Sequence, residues 1–260
     1  MLHSVIAQHE RKAAGFPAAF FVGGAMERIG IFCADESELA PFLRRLEREE
    51  VRQAVMLPFT LGRLEGCPVA LVAGGVGKVN AAIAVQQLIS LCGAKAVIDA
   101  GAAGGLRDSL APFDTVVAEQ VAYHDVAEEI LTESHPHLPT IWMRPDPRLL
   151  EAARRGLASQ PFPGRKVVFG RCITGEAFIA GPERLALQRA FDPDIVDMET
   201  AAVAHVCLVN QVPFLSVRTI SDGADGEGAG DFEENCSPAA EVCCQAVCCV
   251  LDQLNRESEK

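Results

Sequence analysis

Clustered basic side chains are missing from this chain: 23 Lys and Arg stand against 35 Asp and Glu, a formal charge of −12 at neutral pH. Counterion-release affinity for nucleic acid needs a grouped basic face, so no nucleic-acid partner is expected and small molecules are. Also missing is any apolar run of the about 18 residues that a membrane span requires. No internal repeat occurs, and no low-complexity segment apart from a thiol-rich tail. What is present is 260 residues, 49% of them apolar. Folds built on one large α/β sheet commonly reach about 250 residues undivided, so residues 26–260 are expected to form a single domain.

Ten cysteines do not amount to a secreted disulfide framework, which would be small and loop-rich. Reduced thiols and a cytoplasmic location follow as expectations. Four cysteines form the run CCQAVCC at 243–249. Cys244 and Cys248 share a helix face, but a zinc site needs further ligands, and the nearest histidine, His205, lies far back in an Ala/Val-rich stretch. No metal is expected, and the run reads as a helix using Cys as a small hydrophobe. Residues 1–25 form an extension with two readings: a weak signal peptide (HSVIAQHERK, then GFPAAFFVGGA), which would give an exported form, or a mis-assigned start with Met26 as the true first residue.

From Arg28 onward, Val- and Ile-rich runs at 28–34, 68–74, 95–101, 113–122, 165–173, 194–198 and 213–221 read as strands, several as continuous apolar runs that imply burial on both faces. Between them, helical patterns are predicted over 36–50, 78–93, 146–158, 182–191, 199–210 and about 238–254. Alternation of this kind predicts an α/β fold with a largely parallel sheet between helical layers. The irregular loop from Ala127 to Pro147, with four prolines, has the length of a lid or binding element.

Ligands of parallel α/β sheets bind beyond the carboxyl ends of the strands, and three carboxylates, Glu38, Glu199 and Asp222, follow three separate apolar runs. Two glycine-rich turns, GVGK (75–78) and GAAGGL (101–106), lie at equivalent places. Taken singly, each acid is explained by helix-dipole stabilisation, and GVGK lacks the full phosphate-loop spacing. Their joint placement, with Arg218 inside the last strand, points to a site.

IGIFCADESE, AGGVGKVNAA, GAAGGL, YHD, GEAFIAG, VDMETAAVAHV and VRTISDGAD, in this order, closely resemble the nucleoside phosphorylase superfamily and, within it, the 5′-methylthioadenosine/S-adenosylhomocysteine nucleosidases. The resemblance runs from about Met26 to the end and implies a three-layer αβα sandwich around a mixed, twisted sheet, a homodimer, and no cofactor. It implies hydrolysis of the N-glycosidic bond of adenine thionucleosides through an oxocarbenium-like state. Asp222 would protonate the purine at nitrogen 7, Glu38 would activate water, and Glu199 would hold the ribose hydroxyls with Met198 beside the sugar. Phe178 would stack on adenine, with the backbone of Ile179 at the base edge. Arg218 matches an arginine near water and ribose, Gly104 lies in the GAAGGL turn, and Leu131 and Pro139 fall where a dimer partner closes the alkylthio pocket. His124, in YHD, reads as part of a buried hydrogen-bond network.

Two departures stand out. Ala102 replaces the family's serine in GAAGGL, removing a hydroxyl near the water, and Asp35 replaces a methionine, adding charge at the mouth. Three alternatives remain at this level. A purine nucleoside phosphorylase would need phosphate where Asp35, Glu36 and Glu38 repel it. A 6-amino-6-deoxyfutalosine hydrolase shares much of the motif set. A non-catalytic nucleoside-binding protein of the same fold would be marked by loss of a catalytic carboxylate, and all three are present.

Overall fold

The computed structural model describes residues 21–22, 25–160, 162, 164–223 and 229–258. The strands are β1 (Phe21–Val22), β2 (Ala25–Met26), β3 (Ile29–Cys33), β4 (Glu47–Ala54), β5 (Leu57–Leu64), β6 (Cys67–Ala73), β7 (Ala96–Gly105), β8 (Thr115–Tyr123), β9 (Val167–Thr174), β10 (Ile195–Asp197) and β11 (Phe214–Asp222). The helices are α1 (Glu36–Arg45), α2 (Lys78–Ser90), α3 (Glu128–Thr132), α4 (Pro147–Ala158), α5 (Glu183–Phe191), α6 (Thr200–Asn210) and α7 (Ala229–Ser258). The N-terminal extension expected over residues 1–25 lies outside the described residues, apart from positions that form the short β1–β2 ribbon.

Nine strands make one mixed sheet in the order β10-β9-β8-β11-β7-β3-β6-β5-β4. β11, β7, β3 and β6 run parallel, whereas β8 is antiparallel to β11 and β5 to β6. At one end the sheet curls until β10, already parallel to β9, pairs antiparallel with β7. That closure brings the ends of β7, β10 and β11 together.

Side-chain alternation divides the core into two layers. In β3, Ile29, Ile31 and Cys33 face α1, α4 and α7, meeting Leu39, Phe42, Leu149 and Val247, while Phe32 faces α2 and α6, meeting Ala84, Leu88 and Val203. Burial of each large apolar side chain contributes about 1.5–3 kcal/mol, which explains why strands covered on both faces are nearly uninterrupted apolar runs. The result is the three-layer αβα sandwich with a mixed sheet. On α7, Cys243, Cys244 and Cys248 pack into the second layer as small apolar groups, and all ten cysteines are free thiols.

Several elements depart from the sequence pattern, β5 and α3 standing where no strand or helix is expected. The helix expected over 36–50 stops at Arg45, and residues 47–54 form β4, an exposed edge strand studded with Glu47, Arg48, Glu49, Glu50 and Arg52. Charge on an edge strand discourages pairing with other chains, and in a segment without buried positions helical and extended charge patterns look alike. The β4–β5 turn places Val55 and Met56 at positive φ (47° and 65°) without the Gly, Asn or Asp that usually marks such a hairpin. The last helix starts at Ala229 rather than near Pro238, which lies inside it. Among the described residues no helix is long and apolar enough to cross a membrane.

Candidate active site

The first carboxylate is positioned by the start of α1. Asp35 is the N-cap, its Oδ1 accepting the Ser37 and Glu38 N–H groups at 2.7 and 3.0 Å. Glu38 completes the capping box by accepting the Asp35 N–H on Oε2 at 3.4 Å, and the same oxygen accepts the Ala34 N–H at 2.7 Å. Its Oε1 reaches across to accept the Ala102 N–H, also at 2.7 Å. A Cβ at Gly101 would fall 2.4 Å from that Oε1, so the glycine leaves the space the carboxylate fills. Burial raises the proton affinity of Glu38 above the usual carboxylate range, opposed chiefly by the Arg218 charge.

Glu199 precedes α6, and its Oε1 accepts the Gly77 N–H at 2.9 Å. Gly77 holds φ 95° and ψ 162°, a conformation essentially confined to glycine. GVGK is therefore a strand-to-helix turn whose N–H is committed to a carboxylate rather than offered to a phosphate. Burial pushes Glu199 up to about 8, against the opposing pull of Arg218.

Asp222 ends β11 with 1% of its surface exposed. Ser221 Oγ donates to its Oδ1 at 2.8 Å, and Arg184 Nη2 donates to its Oδ2 at 2.5 Å.

These three acids line one cavity of about 180 Å³, together with Asp35, Ala102, Gly104, Phe178, Ile179, Asp197, Met198, Ser221 and Phe232. Five of its lining side chains are carboxylates, and among the described residues none is Lys or Arg. Phe178 is 44% exposed at one end, edge-on to Phe232 with centroids 6.1 Å apart. Of the residues singled out in the sequence, the cavity thus gathers Glu38, Ala102, Gly104, Phe178, Ile179, Met198, Glu199 and Asp222.

Arg218 is not on the cavity wall. It lies beneath it, 1% exposed, bonded to Asp99 at 2.7 Å and within 3.2 Å of Asp197 and 3.6 Å of Glu199. Leu131, 3% exposed, packs in the first core layer and Pro139 is exposed, and neither lines this cavity. The hydrogen-bond network expected around His124 does not reach Nε2, which is buried with no partner among the described residues, close to Gly175. Burial lowers its basicity.

Asp99, Asp197, Arg184 and Phe232 were not foreseen. Asp99 had a signal, a carboxylate in the middle of the apolar strand KAVIDAG, which demands a buried cation. Arg184 had none, since an Arg on an amphipathic helix ordinarily faces water.

The family pattern described as the phosphorylase superfamily matches residues 28–252. A 5′-methylthioadenosine/S-adenosylhomocysteine nucleosidase of Actinobacillus succinogenes is 35% identical over 230 residues, covering 87% of this chain and 97% of the relative. The chain belongs to this nucleosidase family of the phosphorylase superfamily. Among solved structures, the nucleosidase of Colwellia psychrerythraea in complex with adenine superposes with a TM-score of 0.80 at 35% identity, covering 88% of this chain and 96% of that one. The futalosine hydrolase of Helicobacter pylori superposes on this nucleosidase-family chain at 0.78 and 26%, covering 87% and 98%.

Proposed function

We propose that residues 26–260 form a single catalytic domain that hydrolyses the N-glycosidic bond of 5′-methylthioadenosine and S-adenosylhomocysteine, releasing adenine and the thioribose. The observation that carries this reading is the convergence of Glu38, Glu199 and Asp222 on one cavity that, among the described residues, has no lining Lys or Arg. A cationic, oxocarbenium-like sugar is stabilised there, and phosphate is repelled. Glu38, whose burial makes it a stronger base, takes a proton from the attacking water. Asp222 gives a proton to purine nitrogen 7, and the electrons of the glycosidic bond pass to the departing base. Glu199 holds the ribose hydroxyls beside Met198, Phe178 stacks on the base, and the Ile179 backbone meets its edge. Arg218 fixes Glu199 from below rather than touching substrate.

Incubating the protein with methylthioadenosine, with and without phosphate, and separating the products tests the reading. Free thioribose formed independently of phosphate is expected. A sugar phosphate would establish a phosphorylase instead, and a protein that binds the nucleoside without turning it over would establish a binding protein. A second substrate, 6-amino-6-deoxyfutalosine, is favoured by the likeness to the futalosine hydrolase of Helicobacter pylori and belongs in the same assay.

The working unit is proposed to be a cytoplasmic homodimer. A groove between α2 and α6 adjoins the catalytic cavity through Gly77 and Lys78, and exposes Val79, Ile83 and Val209. This face suits a second copy. Leu131 is buried, whereas its neighbour Ile130 and Pro139 are among the exposed positions of that loop, open to a partner.

A further inference from the structure

Arg184 is almost entirely buried at the start of α5, 4% exposed, yet it takes no part in either large core layer. Its guanidinium instead joins three segments of the site. Nε donates to the Ile179 carbonyl at 3.2 Å, at the base end of the cavity. Nη1 donates to the Gly105 carbonyl at 3.2 Å, at the end of β7, and to the Gly223 carbonyl just beyond β11. Nη2 donates to Asp222 Oδ2 at 2.5 Å, between side chains that are 5% and 1% exposed. Every contact is to the catalytic acid, the strand ends beside it, or the segment that meets the base.

We propose that Arg184 is the positioning residue of the acid: it fixes the Asp222 carboxylate against the Phe178–Ile179 segment and stabilises the negative charge Asp222 acquires on giving its proton to the base. This inference rests on Asp222 being the proton donor. As the proton passes from the Asp222 carboxyl oxygen to purine nitrogen 7, the glycosidic electron pair moves into the base. Water then adds to the sugar and its proton goes to Glu38. The charge left on Asp222 is the only new negative charge formed on the base side of the cavity, and it forms against a guanidinium already in hydrogen-bond contact. A preorganised donor aimed at developing charge lowers a barrier because it need not reorganise during the reaction. Arg218 does not serve this purpose, since its contacts are to Asp99, Asp197, Glu199, Thr200 and Ala102.

The test compares two substrates with different leaving groups. Methylthioadenosine needs a proton on its base, whereas 4-nitrophenyl 5-methylthioriboside expels a stable nitrophenolate without one. Arg184→Met is expected to lower kcat on methylthioadenosine about 10- to 100-fold, part of the about 10²–10⁴ that a positioned proton donor supplies, and to leave the nitrophenyl substrate unchanged. Arg184→Lys, which keeps one donor and the charge, is expected to restore part of the loss. The double variant Arg184→Met with Asp222→Asn, which removes both buried charges together and so avoids an unpaired carboxylate, is expected to be no slower than Asp222→Asn alone. Equal losses on both substrates, additive losses in the double variant, or undiminished turnover of methylthioadenosine by Arg184→Met would each overturn the proposal. A wild-type protein that releases no adenine would instead overturn the reading of the reaction itself.

Discussion

Gly77 donates its backbone N–H to Glu199 Oε1 at 2.9 Å, joining residues 122 positions apart. The bond explains why the glycine-rich turn after β6 and the acid after β10 belong to one site. Replacing Gly77 by Ala strains a backbone at φ 95° and ψ 162° by about 1–3 kcal/mol. The new Cβ would also meet Glu176 Oε1 at 2.6 Å, a side chain free enough to swing aside. Relief of the strain rotates the peptide and takes the N–H from Glu199. Gly77→Ala is expected to lower kcat on methylthioadenosine about tenfold, equivalent to about 1.4 kcal/mol, alongside a lower Tm. Steady-state kinetics and thermal denaturation of the same preparation check it.

The raised proton affinity of Glu199 predicts how stability depends on pH. Burial favours the protonated carboxyl in the folded chain, which titrates at about 8, whereas an unfolded Glu titrates at about 4.3. Between these values the native state binds more protons than the unfolded state, so this group's contribution is fully present below the unfolded pKa and is lost as pH rises through the folded one. Glu199→Gln mimics the neutral form. Urea denaturation at a series of pH values from about 5 to 9 is expected to give a flatter profile for Glu199→Gln than for the wild type. Parallel profiles would refute the assignment.

How much of this was legible in the sequence depends on which face of an element a residue served. β3, β6, β7 and β11 are covered on both faces, and their apolar runs announced them. β4 and β5 were hidden because β4 buries almost nothing and its turn carries Val55 and Met56 instead of turn residues. The three cavity acids could be found because they follow strands directly. Their supporting cations could not be assigned in the same way: Arg218 was visible inside a strand but its pairing with Asp99 and Asp197 across the sheet was not, and Arg184 enters from a helix whose pattern gave no reason to bury it. Leu131, a loop position matched by motif, packs in the chain's own core, which its place in an irregular, proline-rich stretch did not announce.

Arg218 is the cation on which several buried acids depend. Asp99 and Asp197 have little or no access to water, and Glu199 and Glu38 feel the same guanidinium. Removing one member of such a network leaves uncompensated charge, at about 3–5 kcal/mol. Arg218→Met is therefore expected to lower the free energy of unfolding by at least that much, with a matching fall in the urea midpoint. Arg218→Lys keeps the charge but cannot reproduce the forked contact with Asp99, and an intermediate loss is expected. Equal midpoints for both variants would mean that the forked geometry, rather than the charge, carries the stabilisation.

Ala102 offers a test in the direction of gain. Its N–H holds Glu38 at 2.7 Å, its carbonyl accepts from Arg218 Nη1 at 3.3 Å, and its side chain is part of the cavity lining. Both main-chain groups are thus committed, and only the methyl group faces the place where water must sit next to Glu38. A hydroxyl added there contributes one donor and two acceptor lone pairs, enough to orient the water and meet a ribose hydroxyl without disturbing the backbone contacts. A typical net hydrogen bond contributes about 0.5–1.5 kcal/mol, which corresponds to an increase of about 2- to 12-fold in kcat/KM. Ala102→Ser is expected to fall in that range with unchanged Tm. A decrease in kcat/KM would mean instead that the cavity around Glu38 is adjusted to a methyl group, and that the water is ordered by the carboxylate and backbone alone.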